Sequence, residues 1–301
     1  MSEQIADPVG RWKAFRRSLR PLRVIAERDP EGPLHRDALV STVVEICARA
    51  AASDQLGERS VGLWRLEKLG FCTCRHGRGT LDEAAIPESA QPILHVGMGI
   101  AATETAGFEV VRVGEVIEAQ AHPDYRLFSF ESVGCIWAVY ASPIYRTFFR
   151  WVSGAGIPVT KLPAWSSLIH TVPVEIERVM SHGYGRTLYF KHLSLRRAIR
   201  AARRIPSLDI AAAAQGIAFA CAMLNHDDLD SLLTGVPTSD DSEVATGLRR
   251  GFVYALAFWQ WTFGDVLDRV ESRTLQRTGL VREARDLIRE SRSRGMLATF
   301  L

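Results

Sequence analysis

Five times along this chain a glycine opens a block of small and large apolar residues, usually with an aromatic among them. The phrases are Gly99-Ile-Ala-Ala, Gly134-Cys-Ile-Trp-Ala-Val-Tyr, Gly185-Arg-Thr-Leu-Tyr-Phe, Gly216-Ile-Ala-Phe-Ala and Gly251-Phe-Val-Tyr-Ala-Leu-Ala-Phe. The steps between these glycines are 35, 51, 31 and 35 residues, and the long step spans a Pro/Gly-rich stretch. A period near 35 is that of paired-helix repeats. Glycine inside a helix costs about 1 kcal/mol against alanine. It recurs where helix backbones must approach closely or where a helix starts. Helix-on-helix stacking accounts for the mixture of small and aromatic residues without any ligand; coincidence within an Ala-rich helical protein is the other reading.

The rest of the chain agrees with helices. Val9, Trp12, Phe15 and Leu19 alternate with Arg11, Lys13, Arg16, Arg17 and Arg20, giving a short amphipathic helix with a basic face, ended before Pro21. It reads as a docking helix or as a contact with an anionic membrane surface. Leu39, Val43, Ile46 and Ala50 form one stripe within 34–52, and 60–70 follows with Gly70 as its stop. Residues 72–91 read as loop, 93–108 as an apolar Gly-rich segment, and 109–127 as irregular or a short strand plus turn. Helical patterns resume at 174–192, 195–205, 208–224, 243–272 and 280–296, the 243–272 helix capped from the Ser239-Asp240-Asp241-Ser242 run. No long alternating apolar/polar run marks a strand. The expected fold is all-α or nearly so, a degenerate helical repeat of packed helical hairpins. It forms one domain of two helical halves, 1–153 and 174–301, joined by a Pro/Gly-rich linker at 154–173.

Of 301 residues, 47% are hydrophobic, which is ample for a sizeable core, and 37 basic residues against 34 acidic leave a net charge of only +3. A general nucleic-acid binder carries a larger excess on one face, so that class is disfavoured. Five cysteines, Cys47, Cys72, Cys74, Cys135 and Cys221, form no secreted framework and suit a reduced, cytoplasmic protein. The N-terminus does not read as a signal peptide, and no run reaches the roughly 20 apolar residues of a membrane span.

Cys72-x-Cys74-x-His76 offers three metal-ligating groups, but a closed zinc site needs four, and His35, His170, His182 and His192 show no paired spacing. The phosphate loop, the dinucleotide fingerprint, the nucleophile elbow and the zinc-protease helix are all missing, so no cofactor is expected. His95 precedes a Gly-rich apolar helix and would be a general base if it lay in a pocket; otherwise it is a satisfied structural histidine. Residues 95, 99 and 102 share a face and Glu104 lies off it. Glu131 stands where a first-turn carboxylate would meet a helix dipole. Arg186, beside Tyr184, would pair either a ligand's phosphate or carboxylate or a local Glu175 or Glu177. Arg196, Arg197, Arg200, Arg203 and Arg204 form a basic run on an amphipathic helix: a solvated face, or a surface for an acidic partner.

Gly183-Tyr-Gly-Arg-Thr-Leu-Tyr-Phe190 and the later Ala214-Gln-Gly-Ile-Ala-Phe-Ala-Cys-Ala222 resemble two phrases of the bacterial UnbL-like family, also known as domain of unknown function 1702. His95-Val-Gly-Met-Gly-Ile-Ala101 is similar to that family's earlier His-x-Gly-x-Gly segment. Order and spacing agree over about residues 60–260. The family's acidic residue after a first Gly-Phe pair is missing from Gly70-Phe-Cys-Thr-Cys-Arg-His-Gly77, and its later Gly-Phe-His is Gly134-Cys-Ile-Trp137 here. The resemblance implies an accessory protein of polyketide, notably enediyne, biosynthesis, acting on or near a long unsaturated chain. On that reading the chain holds a hydrophobic, polyene-like intermediate in a helical cavity, as a cofactor-free isomerase, cyclase or shaping partner. His95 and Glu131 are the expected catalytic groups, and Tyr184, Arg186, Trp137, Phe219 and Tyr254 the expected substrate-binding set. The alternative is a non-catalytic helical-repeat scaffold that docks other biosynthetic proteins or an acyl carrier domain through Arg196–Arg204 or the N-terminal helix.

Overall fold

In the computed structural model, nine glycines of the described residues stand where an added Cβ would lie within 1.8–2.4 Å of a neighbouring helix's carbonyl oxygen. No side chain fits such a gap, so these glycines mark where backbones touch. The structure describes residues 36–75, 85–143, 146–147, 162–225, 242–269 and 279–294. The helices are α1 (Arg36–Ala52), α2 (Leu56–Arg75), α3 (Gln91–Thr105), α4 (Val110–Gln120), α5 (Arg126–Tyr140), α6 (Trp165–Ile169), α7 (Val174–His192), α8 (Leu195–Ala202), α9 (Ile210–Leu224), α10 (Glu243–Phe263), α11 (Val266–Arg269) and α12 (Leu280–Arg294). The described residues contain no strand. The fold is all-α.

Six long helices pack side by side in the order α2, α3, α5, α7, α9, α10. The glycines set each crossing. Gly70 faces the Leu94 carbonyl while Gly97 faces that of Glu67; Gly134 faces Met180 while Gly183 faces Glu131; Gly185 faces Ala213 while Gly216 faces His182. Each of these three crossings is reciprocal: every glycine meets the carbonyl of the residue three before the partner's glycine. Such closeness brings Cα–H groups against carbonyl oxygens, each contact worth perhaps about 0.5–1 kcal/mol. The Gly-x-Gly pairs have a simple meaning. Residues two apart on a helix point about 200° apart, so Gly97 meets α2 while Gly99 meets the Ser129 carbonyl of α5, and Gly183 meets α5 while Gly185 meets α9. A Gly-x-Gly helix is one sandwiched between two neighbours.

Contacts between neighbours ascend together, so these helices run parallel rather than as hairpins. Along α3 and α5 they go from His95–Ser129 to Glu104–Tyr140. Along α5 and α7 they go from Glu131–His182 to Ala138–Lys191. Along α7 and α9 they go from Ser181–Asp209 to Tyr189–Asn225. Parallel neighbours need a return path, and a short helix supplies it: α4 packs on α3 and α5, and α8 packs on α7 and α9. The two long-short-long units correspond in detail. His95 lies two residues before Gly97 and Ser181 two before Gly183. His95 Nε2 accepts the His122 N–H at 3.0 Å, and Ser181 Oγ accepts the Asp209 N–H at 3.3 Å, each pinning the residue that leads toward the next long helix. Parallel macrodipoles repel, and the end charges oppose this: Glu58, Glu175, Glu177 and Glu243 sit in first turns, and Arg75, Lys191 and His192 in last turns.

The row also curls. Arg59 at the start of α2 pairs with Asp265 after α10, at 2.5 and 3.1 Å across 206 residues, and its guanidinium lies 5.3 Å from the Phe263 ring centroid. Trp64 of α2 meets Phe190 of α7 edge to face. One hydrophobic core runs through both halves of the chain.

Several local expectations change for physical reasons. Gly70 does not stop its helix; α2 continues to Arg75 because the missing side chain admits Leu94 of α3. Residues within 109–127 form α4, whose Val113 and Ile117 are buried. The described part of the 154–173 linker, residues 162–173, contains α6, whose buried Trp165 packs 4.8 Å from Tyr184, so it is core rather than tether. Gly264, at φ 78°, ends α10 earlier than the 243–272 pattern suggests. Ser242 does cap α10, accepting the Ala245 N–H. The amphipathic helix at 9–20 and His76 lie outside the described residues.

Gly134→Ala or Gly183→Ala sets a methyl against a carbonyl that belongs to a helix and cannot give way. Each variant is expected to lose about 3 kcal/mol in urea unfolding. Gly114→Ala in α4, with nothing within 4 Å of the new Cβ, is expected to gain about 1 kcal/mol.

Candidate functional site

At the α5–α7 crossing, three charged or titratable side chains meet inside the protein. His182 and Arg186 stand four apart on α7 and therefore share a face. Both reach one oxygen of Glu131 on α5: His182 Nδ1–H donates to Oε1 at 2.7 Å and an Arg186 guanidinium N–H at 3.0 Å. All three are buried. Arg186 also lies over the Phe219 ring of α9, 5.3 Å from its centroid, and the His182 ring sits 5.8 Å from Phe219 and 5.5 Å from Tyr254 of α10. Phe219 stacks on Tyr254 and meets Phe258 edge to face. The result is an ionic centre walled on one side by aromatics.

Two buried carboxylates here are driven in opposite directions. Burial alone would raise Glu131, but the charge of Arg186, then that of His182, and their hydrogen bonds bring it down to about 2. Glu67, from α2, has no such bond among the described residues. Burial pushes it up to about 7, with Arg186 holding it back and the charge of Glu131 adding to the rise. Burial and the Glu131 charge also raise the Tyr254 hydroxyl. Near neutrality the site therefore holds one fixed anion and one acid able to keep or release its proton. Separated pairs of this kind are how a single environment supplies both an acid and an anion.

Hydrogen-bond accounting adds the sharper feature. With Nδ1–H donated to Glu131, a neutral His182 ring carries its lone pair on Nε2. That nitrogen is buried and has no hydrogen-bonding partner among the described residues, and neither has Arg186 Nε. Below it, Cys135 Sγ–H donates to the Gly183 carbonyl at 3.1 Å and Thr187 Oγ–H to the Cys135 carbonyl at 3.0 Å, fixing the two helices against each other.

Of the residues singled out from sequence, the structure brings together Glu131, Arg186, Phe219 and Tyr254. Glu131 is not in a first turn: α5 begins at Arg126, and the carboxylate answers charges from another helix rather than a dipole. Arg186 accordingly pairs across helices, not with Glu175 or Glu177. Tyr184 lies on a different face of α7, against Trp165. Trp137 packs against Phe108, 5.6 Å between ring centroids, in the region where Tyr140 donates to a buried Glu104 at 3.3 Å. His95 is elsewhere, with both ring nitrogens engaged: Nδ1 with the Gln91 carbonyl at 2.8 Å and Nε2 with His122 N–H. Glu67 is not singled out by the sequence, and His182 is weighed there only as a metal ligand. A signal for them existed: Glu67, Glu131 and His182 each stand three residues before a crossing glycine, at 70, 134 and 185.

Cys72 and Cys74 are buried thiols of α2, and the described residues contain no cluster of three metal-ligating side chains. No described helix is long and apolar enough to cross a membrane. Open surface grooves lie apart from the centre, one of ≈ 670 Å³ lined by Arg178, Asp209, Thr246 and Arg250 among others. No family model, no curated protein and no solved structure matches this chain.

The raised Glu67 has a readout in stability. Its folded pKa, about 7, exceeds the ordinary 4.5, so the folded state holds a proton that the unfolded chain has lost. Its contribution is full below pH 4.5 and disappears as pH climbs to 7. Glu104, raised by burial to about 7, adds a similar slope. Glu67→Gln is expected to remove about 3 kcal/mol of the stability lost between pH 5 and 8, measured by urea unfolding in a Glu104→Gln background.

Proposed function

We propose that this protein binds a hydrophobic small molecule beside the Glu67–Glu131–His182–Arg186 centre and moves a proton on it without a cofactor. His182, oriented by Glu131, takes a proton from carbon through Nε2. Glu67 returns one at another carbon of the same conjugated system, and exchange with solvent then removes the proton from His182 and restores that of Glu67. The ligand's double bonds shift, and no net oxidation occurs. The Arg186 charge stabilises the anionic intermediate, as fixed charge in a dry site does, and Phe219 and Tyr254 hold the chain. The observation that carries this reading is the buried Nε2, without a hydrogen-bonding partner among the described residues, of a histidine whose other nitrogen is committed to a carboxylate. That is the arrangement of a general base. The resemblance to the UnbL-like phrases supplies the ligand class, a long unsaturated polyketide intermediate of the enediyne type, with an isomerisation or cyclisation as the reaction. Because the centre is buried, a ligand reaches it by displacing side chains and leaves slowly. Five free cysteines suit a reducing compartment, and we place the protein in the cytoplasm.

The test begins with protein isolated from a bacterial host that makes such polyenes, extracted into organic solvent and read by absorbance and mass. A stoichiometric conjugated molecule is expected. Returned to the protein in D₂O, it should take up deuterium at carbon, and His182→Gln should slow this by about 10²–10⁴-fold while the variant still binds and keeps its Tm. A clean extract with no binding of added polyenes overturns the reading, as does exchange that His182→Gln leaves unchanged.

A further inference from the structure

His182 and Arg186 stand one turn apart on α7 and share Glu131 Oε1 as an acceptor. Each keeps one buried nitrogen without a hydrogen-bonding partner among the described residues, Nε2 of His182 and Nε of Arg186. The two are complementary. With Nδ1–H given to Glu131, a neutral His182 ring presents Nε2 as an acceptor, whereas a guanidinium can only donate. Both stand beside the same ring: the Phe219 centroid is 5.8 Å from that of His182 and 5.3 Å from the guanidinium carbon of Arg186. Side chains one turn apart have Cβ atoms about 5–6 Å apart, close enough for one small functional group to meet both.

The chemistry of the base sets what the donor is for. Imidazole is too weak a base to ionise a C–H bond of a plain polyene. It can do so where the electron pair left on carbon passes to an oxygen, as it does next to a carbonyl group. The charge of the enolate then settles on that oxygen, and the site has an open cationic N–H to receive it. The charge balance agrees. Glu131 and Arg186 already answer each other at 3.0 Å. A neutral carbonyl compound therefore enters without adding charge, and negative charge arises only as the proton leaves, when a fixed donor accelerates the step. A carboxylate or phosphate would instead set a second anion beside Glu131. A hydrocarbon would leave the Arg186 Nε–H buried and unpaired, a state that buried donors avoid.

We propose that the ligand of this centre is a β,γ-unsaturated carbonyl compound with a long apolar tail, its oxygen accepting the Arg186 Nε–H while His182 Nε2 removes a proton from its α-carbon. The proposal rests on the reading of His182 as a base and adds the functional group the substrate must carry. The step balances. The α C–H bond breaks, its proton goes to Nε2, and its electron pair moves to the carbonyl oxygen. The pair returns as Glu67 delivers a proton to the γ-carbon. The C=O is restored with the double bond moved into conjugation, and solvent resets the two protonation states.

The test uses the full-length protein and four probes with the same alkyl tail. They are a β,γ-unsaturated methyl ketone, its conjugated isomer, the conjugated carboxylic acid, and the hydrocarbon with a methylene in place of the carbonyl. The β,γ-ketone should turn into its isomer, read as rising enone absorbance, and take up deuterium at the γ-carbon in D₂O. The conjugated ketone should bind at least 10-fold more tightly than the hydrocarbon or the acid. Its bound absorption should lie at longer wavelength than in water, the signature of a carbonyl on a cationic donor. Arg186→Lys keeps the charge beside Glu131 but not the Nε–H. It should abolish the shift and slow isomerisation by about 10²-fold. If that variant does not fold, the shift and the ketone-to-hydrocarbon ratio in the unaltered protein decide. Hydrocarbon or acid bound as tightly as ketone overturns the proposal, as does a bound ketone with no shift. Those results leave His182 standing as a base where exchange into the extracted ligand still depends on it. Exchange that His182→Gln leaves unchanged overturns both readings.

Discussion

The carbonyl oxygens of Glu67, Glu131 and His182 each lie against a glycine of the next helix, and much else in the molecule follows from those three approaches. A helix pair normally stands 8–10 Å apart because side chains hold it there. Removing the side chain at a crossing lets the backbones touch, and reciprocal removal, glycine against the residue three before the partner's glycine, fixes both register and direction. The same residues that offer their carbonyls also carry the polar side chains. At the α5–α7 crossing this brings Glu131 against His182, while buried Glu67, from the α2–α3 crossing, feels the charges of Arg186 and Glu131. The packing device and the candidate chemistry are one feature seen from two sides.

Direction has its own consequence. Antiparallel neighbours cancel their dipoles and join through short loops; parallel ones do neither. Here short helices α4 and α8 return the chain, and in α2 and α7 an acidic first turn and a basic last turn offset the aligned dipoles. The return helix α8 is pushed to the outside by its position between α7 and α9.

The buried centre is costly, since desolvating ions costs several kcal/mol each before pairing repays it. Glu131 satisfies two donors with one oxygen, yet among the described residues Arg186 Nε and His182 Nε2 have no hydrogen-bonding partner, and Glu67 feels the opposed charges of Arg186 and Glu131. A purely structural ion pair would be expected to close these bonds, since a half-satisfied buried network is worse than an apolar core. Unanswered polarity at the middle of a well-packed fold is the observation on which the proposed ligand site rests.

What the sequence determined by itself was the material and its spacing. The glycine phrases, the lack of alternating strands and the capping Ser242 specify helices that must touch, because a glycine in a helix interior has little other use. Arg186 and Glu131 could be singled out as residue types out of place in apolar surroundings. The tertiary structure alone decided who faces whom. Local pattern gives the face a residue occupies but not the helix that will cover it, so Arg186 could as well have paired with Glu175 as with Glu131, fifty-five residues away. For the same reason His95, plausible as a base from its setting beside Gly97, proved to be a pin holding His122, whereas His182 became the histidine with a nitrogen to offer. Parallel direction and the meeting of α2 with the end of α10 through Arg59 and Asp265 belong to the same class: they depend on contacts across the whole chain, which no local spacing encodes.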